Sequence, residues 1–364
     1  MATQQPKHIL IAPLDWGLGH TTRCIPLIRH IQQLGHVPVV AGNQAQRTFI
    51  EETFGNIENI HLEGYNISYS GWNRFSQAGL LSQLPRIQKT ITAEHKWLQQ
   101  LSHEIKIDGI ISDNRYGLFH DTIPSVIITH QLNVLSGLGN ITDRAILKIH
   151  YSYLNRFQNT WVADAPGEKN LGGKLSHPAV LPRHTKYIGL LSQFEEVNSN
   201  IDPDHYILIL LSGPEPQRSI LSRILWQQAI EHKGKVVFIE GSTQVTPPAQ
   251  IPSHIQYFNR VTAKTLLPLL QNAGIVICRS GYSTLMDLAA LNKKAILIPT
   301  PGQTEQEYLA KTLNDKGIYY VTKQNGFNLE TALNEAQHFP YHSLPLQQCY
   351  GMYKPVLEDW VEKL

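Results

Sequence analysis

With 364 residues the chain is long enough for two domains of ordinary size, each able to bury its own core. A formal charge of +2 excludes a general electrostatic pull on nucleic acid, and 42% hydrophobic with 16% charged residues is the ordinary composition of an enzyme. The three cysteines, Cys24, Cys278 and Cys349, are odd in number and lack a paired metal spacing, so free thiols in a reducing compartment are expected. No stretch reaches the roughly 18 apolar residues needed to span a bilayer. A cytoplasmic protein is expected, either soluble or resting peripherally on the inner face of the membrane through its N-terminal domain.

In chain order, short apolar runs alternate with segments of helical period. HILIAP, HVPVVAG, NIHLEGY, DGIISD, SVIITH, TWVADAP and KYIGLL read as strands, most of them ending in Gly, Asp, Asn or Pro. Between the first two, Cys24, Leu27, Ile28, Ile31 and Leu34 recur at helical spacing, and Gly35 stands where a glycine stops a helix. The segment from Tyr65 to Leu101 carries Trp72, Phe75, Leu80, Leu81, Leu84, Ile87, Ile91, Trp97 and Leu98 among basic residues. It reads first as a long connection plus a helix packed on the first sheet, and second as a lid that grips an acceptor or lipid.

Between Ser192 and Pro203 the apolar period lapses, marking a linker. Strands then resume with YILILLSG, KVVFIEG, HIQYFNRV, GIVICRS, KAILIPT and GIYYVTK. The expected division is an N-terminal domain 1–191, a linker 192–203, a C-terminal domain 204–343, and a helix from Leu344 to Leu364 that crosses back over the boundary. Alternation of this kind makes an α/β protein with mostly parallel sheets.

Two strand ends carry chemistry. RSGYSTLMD, Arg279 to Asp287, follows the buried run GIVIC and opens a helix, so its free backbone N–H groups suit a phosphate. Leu14 to His20 makes a second glycine-bearing turn, with Gly17 and Gly19 allowing close approach; it lacks the third glycine of a dinucleotide fingerprint. Its His20 is the best candidate general base, because imidazole titrates near neutrality. Asp113 ends a strand at the same sheet edge and could orient His20, bind an acceptor hydroxyl, or merely cap a turn. Asp202-Pro203-Asp204 has the form of a metal-binding D-x-D but falls in the linker and reads as a turn. No metal site is expected.

The stretch from Asn259 to Ala310, with RSGYSTLMDLAALNKKAILIPTPGQTEQEYLA at its core, resembles the donor half of the GT-B glycosyltransferases. It is most similar to the family-28 group that adds N-acetylglucosamine to the peptidoglycan lipid intermediate. GLGH at Gly17–His20 resembles that family's glycine-rich loop, and Thr129-His130-Gln131-Leu132-Asn133 resembles its His-Glu-Gln-Asn segment. The resemblance implies two Rossmann-like domains facing across a cleft and an inverting, metal-independent transferase. It implies a UDP-sugar as co-substrate with no further cofactor, and a lipid, glycan or small-molecule acceptor. Gly19, Arg279, Ser280, Gly281, Ser283, Thr284 and Arg218 would then meet the donor diphosphate, Asp287 the ribose, and Arg260 and Val261 the uracil. Asn133, Gln306 and Glu307 would face the sugar, while His130 shapes the site.

The chain departs from the family in several places: Asp287 replaces the usual Glu, Glu307 replaces the second Gln of a pair, and the loop Ser212–Arg218 carries Pro214 and Pro216 in place of glycines. Each proline removes a backbone donor. A nucleotide-sugar hydrolase, a 2-epimerase on the same plan, and a non-catalytic nucleotide-sugar-binding protein are the competing readings.

Overall fold

The computed structural model describes residues 5–65, 77–134, 140–195, 206–242 and 246–364, without the side chains of 77–84 and 140–141. Among these, residues up to Gln193 together with Gln347–Leu364 form one compact unit, and Phe194–Leu346 form another. Trp72 and Phe75, the side chains of Leu80, Leu81 and Leu84, and the Asp202-Pro203-Asp204 turn lie outside the described residues.

The first unit runs β1 (His8–Pro13), α1 (Gly19–Gln33), β2 (Val37–Gly42), α2 (Gln44–Phe54), β3 (Glu58–His61), α3 (Gln77–Glu104), β4 (Gly109–Asp113), β5 (Ser125–Thr129), α4 (Asn140–Leu154), β6 (Asn159–Val162) and β7 (Thr185–Tyr187). Its strands form one parallel sheet ordered β3-β2-β1-β4-β5-β6-β7. Ile9, Leu10, Ile11 and Ala12 are all fully buried, which is why β1 reads as an unbroken apolar run: both faces of a parallel sheet are covered. Leu98 and Leu101 of α3 pack on Leu10, Val39 and Ile110, so this helix covers the sheet as the first reading of that segment expects. Asn43 starts α2 with a reciprocal capping box to Gln46.

The second unit runs β8 (Tyr206–Leu210), α5 (Gln217–Glu231), β9 (Val236–Ile239), β10 (Ile255–Phe258), α6 (Ala263–Asn272), β11 (Ala273–Cys278), α7 (Tyr282–Ala290), β12 (Ala295–Leu297), α8 (Thr304–Asp315), β13 (Tyr320–Val321) and α9 (Leu329–His338). Its parallel sheet has the order β10-β9-β8-β11-β12-β13. Ile209, Phe238, Ile277 and Ile296 of the sheet meet Leu221 and Leu225 of α5 and Leu329 of α9 in one core.

The last helix, α10 (Tyr353–Glu362), returns to the first unit. It is shorter than the expected Leu344–Leu364: Leu344 to Leu346 are not helical, and Gly351 takes φ 81°, a left-handed conformation that interrupts any helix before Tyr353. Trp360 packs edge-on against Trp161 with ring centroids 5.7 Å apart. A Cβ on Gly109 would come within 2.6 Å of the Trp360 ring, so β4 must start with glycine for α10 to dock. His30 Nε2 and Glu358 Oε1, 2.7 Å apart, and the Tyr353 hydroxyl donating to the Pro26 carbonyl tie α10 to α1.

In each sheet the strand order reverses once, between the neighbours β1 and β4 in one and β8 and β11 in the other. At such a switch point the flanking loops diverge and leave room at the carboxyl ends of the strands, where open α/β sheets bind ligands. Both motif-bearing loops identified in the sequence leave the sheets at these points.

Candidate active site

In the first unit, the loop after β1 turns at Gly17, with φ 84°, and α1 begins at Gly19 without a side-chain cap. His20 therefore stands in the first turn of the helix, with its side chain 15% exposed. Its Nδ1 lies 3.1 Å from Oδ2 of Asp113, the last residue of β4, which is fully buried. Arg23, one turn along α1, donates from Nε to the same oxygen at 2.8 Å and from Nη2 to Oδ1. Arg23 Nη1 is 3.0 Å from Nδ1 of His130, just past β5. Asn114, its amide oxygen turned toward Arg23, donates to the Ile128 carbonyl at 3.2 Å and accepts from Arg23 Nη2 at 3.3 Å.

Burial alone would raise the Asp113 carboxyl; Arg23 and then His20 outweigh it and hold the group at about 2. Burial, helped by the Arg23 charge and opposed by Asp113, pushes the His20 imidazole below its ordinary value. At neutral pH the pair is thus carboxylate and neutral imidazole. The carboxylate can only accept, so Nδ1 of His20 carries the proton and Nε2 keeps its lone pair. That arrangement suits a general base.

Arg115, two residues beyond Asp113, braces the same loops. It donates to the Pro13 carbonyl at 2.9 Å and to buried Glu94 of α3 at 2.8 Å, and Glu94 also accepts from the Tyr65 hydroxyl at 2.8 Å. Burial lifts the Glu94 carboxyl, and Arg115 works against it. Asn133 is half-buried after β5 and donates its backbone N–H to the Leu175 carbonyl at 2.8 Å. His150 of α4 holds this segment through Nε2, 3.1 Å from the Gln131 carbonyl.

In the second unit, Gly281 is the N-cap of α7, with φ −70° and ψ 138° and no side-chain cap. A Cβ at Gly281 would meet nothing within 4 Å, so the space before the helix start is open. The first amides of α7 and the positive end of its dipole face that space. Arg279 is 1% exposed. Its Nη atoms donate to the carbonyls of Ile298 at 3.1 Å, Pro299 at 3.2 Å and Gln217 at 2.8 Å, and to Gln324 Oε1 at 2.6 Å. These acceptors are neutral, so they brace the turn without cancelling its charge. Burial lowers Arg279 to about 10, which leaves it protonated at neutral pH.

Ser280 Oγ donates to the Gln306 carbonyl at 2.9 Å, and Gln306 Oε1 accepts from the Thr300 amide at 2.9 Å. Exposed Glu307 accepts from Gly302 N–H at 2.8 Å. Ser283, Thr284 and Asp287 are half-buried on α7, and Arg260 and Val261 are half-buried in the loop after β10. Arg218 differs from the rest: it is 4% exposed, paired to Glu240 and Glu215, and donates to the Glu240 carbonyl at 3.1 Å. Its charge is balanced within the unit.

The structure brings His20 and Asp113 together in the first unit, and Arg279, Ser280 and Gln306 together in the second. Sequence reasoning missed Arg23, Arg115, Glu94 and Gln324. For Arg23 a signal existed, since it lies three residues after His20 and so on the same helix face. Among the described residues no group of three or more His, Cys, Asp or Glu side chains could hold a metal ion, and no helix is long and apolar enough to cross a membrane.

Residues 227–346 match the glycosyltransferase family 28 C-terminal domain. A glycotransferase of kitacinnamycin has a similar fold over 99% of both chains, with a TM-score of 0.66 and 15% identity. With its two parallel-sheet Rossmann-like units, the chain is a glycosyltransferase of the GT-B fold. Within that class its likeness to family 28 is carried by residues 227–346. An uncharacterized glycosyltransferase of Methanosarcina mazei is 24% identical over 85% of this chain and 84% of its own. The UDP-N-acetylglucosamine–N-acetylmuramyl-(pentapeptide) pyrophosphoryl-undecaprenol N-acetylglucosamine transferase of Gloeothece citriformis is 23% identical over 88% and 84%.

Proposed function

We propose that the protein transfers a hexose or N-acetylhexosamine from a UDP-sugar to an acceptor hydroxyl with inversion and without a metal. The observation that carries this reading is the contact of His20 Nδ1 with Asp113, which leaves Nε2 of a neutral imidazole as proton acceptor. The acceptor oxygen gives its proton to Nε2 and bonds to the anomeric carbon. The bond from that carbon to the donor phosphate breaks, its electron pair leaving on the phosphate oxygen. The start of α7, backed by the charge of Arg279, receives the diphosphate; amides and a dipole fixed in advance can stabilise a leaving anion without a cation. Because the Nη atoms of Arg279 are engaged by neutral acceptors, its part is charge and rigidity, and direct contacts fall to Ser283, Thr284 and the α7 amides. Asp287 holds the ribose, and Arg260 and Val261 flank the base. Asn133, Gln306 and Glu307 contact the sugar.

UDP is favoured because a relative's name specifies a UDP-sugar donor. A lipid-linked glycan is the acceptor class the same name suggests, which would place the protein on the inner face of a membrane. The test is calorimetric binding of UDP to the purified protein and to Asp287→Ala. The variant should bind at least about tenfold more weakly; an unchanged dissociation constant removes the ribose assignment.

A further inference from the structure

We propose that Arg23 is a positioning residue that fixes the proton positions of two imidazoles through a single buried ion pair. Guanidinium nitrogens only donate, so the 3.0 Å contact from Arg23 Nη1 makes Nδ1 of His130 an acceptor and puts that ring's proton on Nε2. The Asp113 carboxylate only accepts, so His20 carries its proton on Nδ1. The two rings thus hold opposite tautomers, joined through Arg23 and Asp113, both essentially out of solvent.

The groups facing His20 are Arg23 of its own helix, Asp113 of β4 and His130 after β5, and Cys24 also lies 3.9 Å from the Asp113 carboxylate. Arg23 sits on Asp113 as a counter-charge, so the carboxylate stabilises an imidazolium at His20 less than it would alone. A charge at this distance in a buried setting moves a neighbour's titration by about one pH unit or more. Arg23 therefore keeps the base neutral and ready at lower pH. It also orders the segment that carries His130 and Asn133 relative to α1.

The inference rests on His20 acting as the base, yet its first test needs no substrate. Nitrogen-15 NMR of histidine-labelled protein reports the tautomer of each ring, with His20→Ala and His130→Ala assigning the signals. The wild type near pH 8 should show His20 protonated at Nδ1 and His130 at Nε2. In Arg23→Met the His20 midpoint should rise by about one pH unit and His130 should become a tautomer mixture, whereas Arg23→Lys should stay near wild type. The acidic limb of kcat/KM should move with the His20 midpoint while KM for the donor holds. A wild-type His20 protonated on Nε2, or an Arg23→Met midpoint that does not move, overturns the proposal. Should Arg23→Met not fold, the wild-type tautomers decide alone. Failure of transfer with the expected tautomers present would sink the transferase reading and leave this inference intact.

Discussion

His20 and Asp113, 93 positions apart in the chain, meet at 3.1 Å because β1 and β4 are neighbours in the sheet and both end at its switch point. The register pairs Pro13 with Asp113, so the loop that leads to His20 departs beside the carboxylate. Asp113→Asn keeps the size of the side chain and removes its charge. Transfer should fall by about 10²–10⁴, the usual worth of positioned acid–base catalysis, and His20→Ala should lose a similar amount. UDP affinity should hold within about twofold in both, because the nucleotide contacts proposed above belong to the other unit. Steady-state turnover with calorimetry on the same samples checks the split.

Gly281 offers a sharper separation of binding from stability. Its φ of −70° suits any residue, and an added methyl meets nothing within 4 Å. Gly281→Ala should therefore shift stability by no more than about 0.5 kcal/mol. The methyl would nevertheless stand before the α7 amides and weaken UDP binding. Thermal unfolding together with a UDP titration tests this, and intact affinity would count against α7 as the anion site.

The pH dependence of stability follows from His150. Burial lowers it from 6.5 to about 4, its contact with the Gln131 carbonyl only partly offsetting the shift. An unfolded chain binds this proton first, so the stability it contributes is full above about 6.5 and declines as pH falls toward 4. By pH 5 the loss from this group alone is about 2 kcal/mol, and His20, shifted the same way, adds to it. His150→Gln cannot titrate and should flatten the slope of unfolding free energy between pH 7 and 5. A variant as acid-sensitive as wild type would show that other groups set the slope.

Much of this architecture was readable from residue pattern. All thirteen described strands overlap the runs picked out in the sequence; β1, β4 and β5, buried over nearly their whole length, carry continuous apolar stretches, because both faces of the sheet are covered there. The start of α7 and the loop before α1 were readable because glycine at a strand end has few other uses. What stayed hidden is of two kinds. The Arg23–Asp113–His130 and Tyr65–Glu94–Arg115 networks join residues far apart in sequence: the helix face shared with His20 marks Arg23, but no local rule announces the partners that these buried charges find only after folding. The last helix was overextended because Tyr353, Val356, Trp360 and Val361 carry the period, while the stop before them depends on the φ of Gly351.

Trp360 makes the role of that last helix measurable. It is 5% exposed against Trp161, and Trp360→Ala should cost roughly 3–5 kcal/mol, as large-to-small changes of buried aromatics do. Chemical denaturation gives the number. A loss below about 1 kcal/mol would mean that α10 adds little to the first unit.

The most direct test is turnover of His20→Ala against wild type, with UDP release followed in the presence of UDP-hexose or UDP-N-acetylhexosamine donors and a panel of hydroxyl acceptors. Wild-type protein should form a glycosidic product of inverted anomeric configuration, and the variant should bind UDP equally well while turning over at least about a hundredfold more slowly. A variant that transfers at the wild-type rate, or a retained anomeric configuration in the wild-type product, would contradict the assignment.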